Sequence, residues 1–346
     1  MAIKVLIVDD SLLMRKLLKD ILSASKDIEV IGTAKDPYEA RDLIGKEKPD
    51  VITLDIEMPK MDGITFLKTL MKHYPIPTVV ISSLSVEGSD IAMEALQAGA
   101  ADVMEKPSPT QFRTLEDVSN TIIEKVLAAS HVKPKNGFTF NVRSQKNEIK
   151  QTTTDKVFAI GASTGGPEAV YKVLENLPED YYGTIVTIHM PAGFTKSYAE
   201  RLNRSCKMEV KEAEDGDKIY KGRVLIAPGD YQMYLKKRGS EYFVMVKKDP
   251  IYNHHRPAVD PMFFSAAEEA KKNLVALIMT GMGKDGAEGI TKIKEQGGYT
   301  IAQDEKSSIV FGMPKAAIEL GGIDKVIPLD NITRFLIELK NGKGGL

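Results

Sequence analysis

Short apolar runs alternate with amphipathic stretches five times across residues 1–129. The runs at 4–8, 29–33, 51–54, 78–82 and 101–104 predict strands. Between the first two, Leu12, Met14, Leu17, Leu18, Ile21 and Leu22 recur at helical spacing on one face. This βα alternation predicts a doubly wound α/β domain with a five-stranded parallel sheet and ligands at the carboxyl ends of its strands. Residues 130–154 break the pattern. They carry Lys133-Pro134-Lys135-Asn136-Gly137 and end in Gln151-Thr152-Thr153-Thr154, with few apolar positions beyond Phe138 and Phe140. This segment reads as a linker.

From residue 155 to 346 the alternation resumes, with strands expected at 157–160, 184–189, 224–227, 274–279, 299–302 and 325–328. Stretches 233–235 and 242–246 around Gly239 read as an antiparallel hairpin. The second domain is thus a doubly wound α/β domain with a mainly parallel sheet and an antiparallel insertion.

Composition narrows the function. A chain of 346 residues suits two cores, and 42% hydrophobic with 27% charged residues describes a soluble globular protein. A net charge of −1 gives no broad positive field for nucleic acid or an anionic membrane. The single cysteine, Cys206, excludes an internal disulfide and a cysteine-cluster zinc site. No apolar run approaches the roughly 18 residues of a membrane span. The N-terminus opens into a strand without a signal-peptide core, so a cytoplasmic location is expected.

In the first domain, Asp9 and Asp10 end the first strand, Asp55 the third, Ser82 the fourth and Lys106 the fifth. A doubly wound sheet brings these ends to one rim. Carboxylates that close repel one another unless a cation sits among them, and Mg²⁺ prefers oxygen ligands. Asp9, Asp10 and Asp55 are the candidate ligands, with the Glu57 backbone carbonyl completing the shell. Such a pocket suits phosphoryl transfer to a carboxylate, with Lys106 offsetting charge. The strings Val8-Asp9-Asp10-Ser11, Asp55-Ile56-Glu57-Met58-Pro59, Asp62-Gly63, Ser82-Ser83 and Glu105-Lys106-Pro107 resemble the receiver domain of response regulators. The resemblance implies a flavodoxin-like fold for this domain, Asp55 as phosphoacceptor, a histidine kinase as phosphodonor, Ser82 and Lys106 as phosphoryl contacts, and a cis Lys106–Pro107 peptide. Val103 stands where that family often has a switch aromatic.

The second domain holds Gly161-Ala162-Ser163-Thr164-Gly165 between an expected strand and an expected helix at 168–177. This fits G-x-S-x-G, in which a serine stands on a sharp turn with its hydroxyl accessible. The alternative is a glycine-rich turn that binds phosphate or nothing. A serine nucleophile needs a base and a group to orient it. Of five histidines, His189 ends a strand and falls on the same rim as Ser163; His254 and His255 lie in a loop. Asp285, after the strand at 274–279, is the candidate orienting carboxylate, with Asp260 and Asp304 as rivals. It is also placed to cap the helix that follows it.

Four spaced motifs then resemble the catalytic domain of chemotaxis protein-glutamate methylesterases. They are G-A-S-T-G-G-P, Ile188-His189-Met190-Pro191-Ala192-Gly193-Phe194, Arg256-Pro257-Ala258-Val259-Asp260 and T-G-M-G-K-D-G. With the receiver in front, the resemblance covers nearly the whole chain. It implies Ser163, His189 and Asp285 as the triad, the Met282 N–H as oxyanion donor, and glutamate γ-methyl esters on the cytoplasmic helices of chemoreceptors as substrate. Deamidation of receptor glutamines is the second activity implied. Thr164 is assigned to the oxyanion or substrate pocket, and Arg256 with His255 to contacts with acidic receptor groups. The unphosphorylated receiver is expected to cover part of the Ser163 cleft. A nucleotide-binding module is disfavoured because no Walker or G-x-G-x-x-G match occurs at the turn, and a transcription factor because no basic recognition helix is evident.

Overall fold

The structure, a computed structural model, describes residues 2–83, 86–107, 115–134, 137–141 and 151–342. The chain forms two compact units, Met1–Thr139 and Phe140–Leu346. Their division falls inside the segment that reads as a linker.

In the first unit, β1 (Ile3–Val8), β2 (Ile28–Ala34), β3 (Val51–Leu54), β4 (Thr78–Ser82) and β5 (Asp102–Glu105) form one parallel sheet in the order β2-β1-β3-β4-β5. The helices are α1 (Leu12–Ser23), α2 (Pro37–Lys46), α3 (Gly63–His73), α4 (Val86–Gln97) and α5 (Leu115–Ser130). Polar residues start three of them. Ser11 Oγ accepts from Met14 N–H at α1, Asp36 from Tyr38 and Glu39 N–H at α2, and Asp62 from Thr65 N–H at α3. Every residue of β3 is buried, Thr53 included, as expected of a strand covered on both faces. The strand order reverses between β1 and β3, so the residues after these two strands meet at the rim.

The second unit runs β6 (Val157–Ala162), α6 (Gly166–Glu175), β7 (Gly183–Ile188), α7 (Phe194–Ser205), β8 (Glu209–Glu212), β9 (Lys218–Ile219), β10 (Arg223–Ile226), β11 (Gln232–Arg238), β12 (Glu241–Lys247) and α8 (Val259–Ala270). It continues with β13 (Leu274–Ile278), α9 (Ala287–Glu295), β14 (Tyr299–Gln303), α10 (Met313–Glu319), β15 (Lys325–Ile327) and α11 (Leu329–Lys340). Seven strands form a parallel sheet in the order β15-β14-β13-β6-β7-β10-β8, and β11-β12-β9 form a small antiparallel sheet. The hairpin is as expected. Strands β8 and β9 are additional. Glu-Val-Lys-Glu of β8 has one fully buried side chain, Val210, because it lies at the sheet edge, and so it lacks an apolar run.

β6 is the middle strand. Gly161 pairs with Ile278 of β13 on one side and with Thr187 of β7 on the other. The chain therefore leaves all three strands at one level of one rim. Phe140 and Asn141, at the start of this unit, dock on its helices. Phe140 packs edge-on to Tyr171 at 4.8 Å, and Asn141 N–H donates to Tyr171 Oη at 3.0 Å. The cis peptide bond among the described residues joins Arg256 to Pro257, not Lys106 to Pro107. Lys106 reaches the acidic rim without one, its N–H donating to the Ser82 carbonyl at 2.8 Å.

Candidate active site and phosphoacceptor pocket

β6 must turn at once into α6. Gly165 makes the turn with φ of 76°, and Ile309 occupies the space a Cβ there would need. Ser163 sits on this turn, its N–H donating to the Thr280 carbonyl at 3.0 Å and its carbonyl accepting from Gly166 N–H at 2.7 Å. β13 leaves the sheet in a related way, with Gly286 at φ of 86° opening α9. His189 follows β7.

These exits bring three side chains together. His189 Nδ1 stands 3.1 Å from Ser163 Oγ, and its Nε2 stands 2.7 Å from Asp285 Oδ2. With Nε2–H donating to the carboxylate, the neutral ring carries its lone pair on Nδ1, facing the serine hydroxyl. All three residues are buried.

Asp285 does not cap its own helix. Its Oδ2 accepts from Val259 N–H at 2.6 Å and its Oδ1 from Asp260 N–H at 3.1 Å. These are first-turn donors of α8, whose N-cap position holds Ala258 and offers no side-chain acceptor. Burial disfavours charge on Asp285, but the His189 hydrogen bond, the His189 charge and the Val259 N–H outweigh it and hold the carboxyl at about 2. Asp260 moves the other way. Burial, then the Asp285 charge beside it, push it to about 7, although its Oδ1 accepts from Gly289 N–H at 2.7 Å. Two adjacent carboxyls are driven apart, and Asp285 is the one that carries the charge. Asp304 binds Ser307, its Oδ1 accepting from Ser307 Oγ at 2.5 Å.

His255, which the sequence places only in a loop, is brought to the site. Tyr252 and His255 pair through their backbones, and the His255 ring stacks on that of His189. No spacing rule marks this contact; it depends on how loop 252–257 folds back. Arg256 is 7% exposed and held by Asp230 and the Asp249 carbonyl, with Nε 3.0 Å from Asp230 Oδ1. Thr164 is buried, its carbonyl accepting from Thr280 Oγ1 at 2.9 Å. Met282 lies just beyond Gly281 on the turn after β13.

In the first unit, Lys106 Nζ stands 2.7 Å from Asp55 Oδ2 and 3.1 Å from Asp9 Oδ2. Carboxylate oxygens of Asp9, Asp10 and Asp55 all lie within 4.8 Å of one another. Burial raises Asp55 to about 6, despite the hydrogen bond and charge of Lys106 that favour ionisation. Glu57 N–H donates to Asp55 Oδ1 at 3.3 Å, and the Glu57 carboxylate accepts from Ser83 Oγ at 3.1 Å. Ser82 is buried at the end of β4, and Val103 is buried in β5. An oxygen-only, acid-rich cluster of this size fits a hard divalent cation.

Residues 158–336 match the CheB methylesterase family, and residues 5–116 match the response regulator receiver domain. A protein-glutamate methylesterase/protein-glutamine glutaminase of Syntrophus aciditrophicus is 47% identical over 341 residues, covering 97% of this chain and 99% of that protein. The chain belongs to the CheB methylesterase family. As a CheB family member it also matches a protein of the same description from Pyrococcus horikoshii, at 44% identity over 99% of this chain and 96% of that one. The catalytic domain of Thermotoga maritima CheB methylesterase superposes with a TM-score of 0.52 at 46% identity, covering 53% of this chain and 98% of that domain. Among the described residues of this CheB family member, no helix is long and apolar enough to cross a membrane.

Proposed function

We propose that this chain is a phosphorylation-regulated serine esterase that hydrolyses glutamate γ-methyl esters on chemoreceptors and deamidates receptor glutamines, with Ser163 as nucleophile, His189 as base and Asp285 as orienting carboxylate. The observation that carries this reading is the unbroken relay from Ser163 Oγ through the two His189 nitrogens to Asp285.

Ser163 Oγ attacks the ester carbonyl carbon while His189 Nδ1 takes its proton. Asp285 holds the ring and stabilises the imidazolium that forms. The carbonyl oxygen becomes an oxyanion facing the Met282 N–H. Collapse returns the proton from His189 to the leaving oxygen, and methanol departs. Water then gives a proton to Nδ1 and attacks the glutamyl-serine ester; as the C–Oγ bond breaks, Nδ1 returns that proton to Ser163 Oγ, which regenerates the enzyme and leaves the glutamate carboxyl. With glutamine the leaving group is ammonia. The base contributes about 10²–10⁴ in rate, and an oxyanion donor about 10²–10³.

Control belongs to the receiver. A chemotaxis histidine kinase supplies the phosphoryl group, Asp55 accepts it, and Ser82 and Lys106 contact it. Asp9, Asp10 and Asp55, with the Glu57 carbonyl, would hold Mg²⁺, which when bound offsets phosphoryl charge. The substrate sites lie on cytoplasmic receptor helices, so the enzyme works in the cytoplasm.

The test is methanol release from methylated receptor by the Ser163→Ala variant. We expect loss of hydrolysis with Asp55 phosphorylation retained. Near-wild-type hydrolysis by the folded variant would remove Ser163 from the mechanism.

A further inference from the structure

We infer that Thr280 is a positioning residue for this reaction, one whose hydroxyl sets Ser163 against the Met282 N–H. The inference rests on Ser163 being the nucleophile. Thr280 follows β13 and has no solvent exposure. All of its hydrogen-bonding groups are engaged around the catalytic turn. Its carbonyl accepts from Ser163 N–H at 3.0 Å. Its hydroxyl donates to the Thr164 carbonyl at 2.9 Å and accepts from Val310 N–H at 2.9 Å. Its own N–H donates to Gln303 Oε1 at 2.9 Å. One residue thereby ties the nucleophile, and the residue after it, to the end of β14 and to the loop before α10.

The next residue is pinned as firmly. Gly281 N–H donates to the Val310 carbonyl at 3.0 Å, and the Gly281 carbonyl accepts from Gly312 and Met313 N–H at 3.0 and 2.9 Å. A Cβ at Gly281 would stand 2.7 Å from Ser163 Cβ, so the two turns are in contact. Met282 comes next, and among the described residues its N–H is hydrogen-bonded to no acceptor. The Ser163 N–H, in contrast, is spent on Thr280 and is not available to an oxyanion. The gap between Ser163 Oγ and the donor at Met282 is therefore set through Thr280 and Gly281.

A valine at position 280 would fill nearly the same volume and remove the hydroxyl that bonds the Val310 N–H and the Thr164 carbonyl. Those two groups border the nucleophile turn and the loop that holds Gly281. Their relaxation would move the attacking oxygen relative to the oxyanion donor. A misplacement of about 1 Å costs on the order of 10² in rate. Thr280 is fully buried and cannot itself touch a docked receptor, so KM should change little.

The experiment uses the full chain. It measures kcat and KM for methanol release from methylated receptor, and the rate at which a fluorophosphonate labels Ser163, for Thr280→Val, Thr280→Ser and Ser163→Ala. For Thr280→Val we expect kcat to fall about 10- to 100-fold, KM to stay unchanged and labelling to slow in parallel. Thr280→Ser, which keeps the hydroxyl, should restore kcat and labelling. A folded Thr280→Val with wild-type kcat would overturn the inference. So would a Thr280→Ser as impaired as Thr280→Val, or a change confined to KM. If Thr280→Val does not fold, Thr280→Ala takes its place; if that also fails to fold, the hydroxyl is a folding requirement and the inference falls. Activity retained in Ser163→Ala would instead sink the nucleophile assignment, whatever the Thr280 variants do.

Discussion

The imidazole of His255 lies flat on the imidazole of His189, with ring centroids 3.5 Å apart and planes 13° apart. The edges of the His189 ring are fixed by Ser163 and Asp285, and His255 closes one face. A ring held at both edges and one face has little freedom to tilt its Nδ1 away from the serine.

That contact makes His255 separable from the triad. His255→Ala should lower kcat by about 10-fold, the cost of a looser near-attack geometry. His255→Phe, which keeps a flat ring in place, should lose less. The check is methanol release at saturating substrate, with wild-type kcat in His255→Ala as the contrary result.

Asp260 predicts a pH-dependent gain in stability. Its carboxyl is raised in the folded state from an ordinary 3.8 to about 7. Its contribution is therefore complete below about pH 4 and is lost as pH rises through about 7. Asp260→Asn keeps an oxygen for Gly289 N–H but has no charge to repel Asp285. It should be more stable than the parent at pH 8 by about 1–3 kcal/mol, with the gain shrinking towards pH 4. Denaturant unfolding of the second unit at the two pH values decides it; an equal shift at both would rule out charge as the cause.

Metal removal should split the two activities. Chelation with EDTA, or Asp55→Asn, should abolish labelling of the receiver by acetyl phosphate. Basal methanol release should persist, because the Ser163 site is built from second-unit residues. Loss of basal hydrolysis on chelation would place a cation in the esterase chemistry.

Deleting residues 1–129 should leave an active enzyme. Ser163, His189 and Asp285 all lie in the unit Phe140–Leu346. If the unphosphorylated receiver obstructs the cleft, the fragment should release methanol faster than the unphosphorylated parent at equal concentration. A well-folded fragment slower than the parent would refute obstruction and leave the triad assignment standing.

Much of this site was legible because strand-end reasoning depends only on apolar runs. Ser163, His189 and Asp285 each follow such a run, and β6, β7 and β13 turn out to be neighbours. The acidic rim of the receiver follows from the same logic. What was not legible depends on loops folding back. His255 reaches His189 only because Tyr252 and His255 pair, and a local sequence carries no sign of that. The partner of Arg256 was equally hidden: a buried guanidinium needs a counter-charge, and Asp230, 26 residues earlier, supplies it. In the sequence Thr280 is one threonine within a glycine-rich turn, because its hydroxyl partners Thr164 and Val310 lie 116 and 30 residues away.

The cap that Asp285 provides to α8 also bears on how a dead relative would be recognised. Selection for a well-formed helix start would keep an aspartate here even in a chain that no longer cleaves esters. Its persistence says little about turnover. The Ser163 hydroxyl meets His189 and closes no helix, so it is free to drift once the chemistry is abandoned. In a degenerate copy of this protein, the serine is the residue expected to vanish first, and the aspartate the one that outlives the reaction.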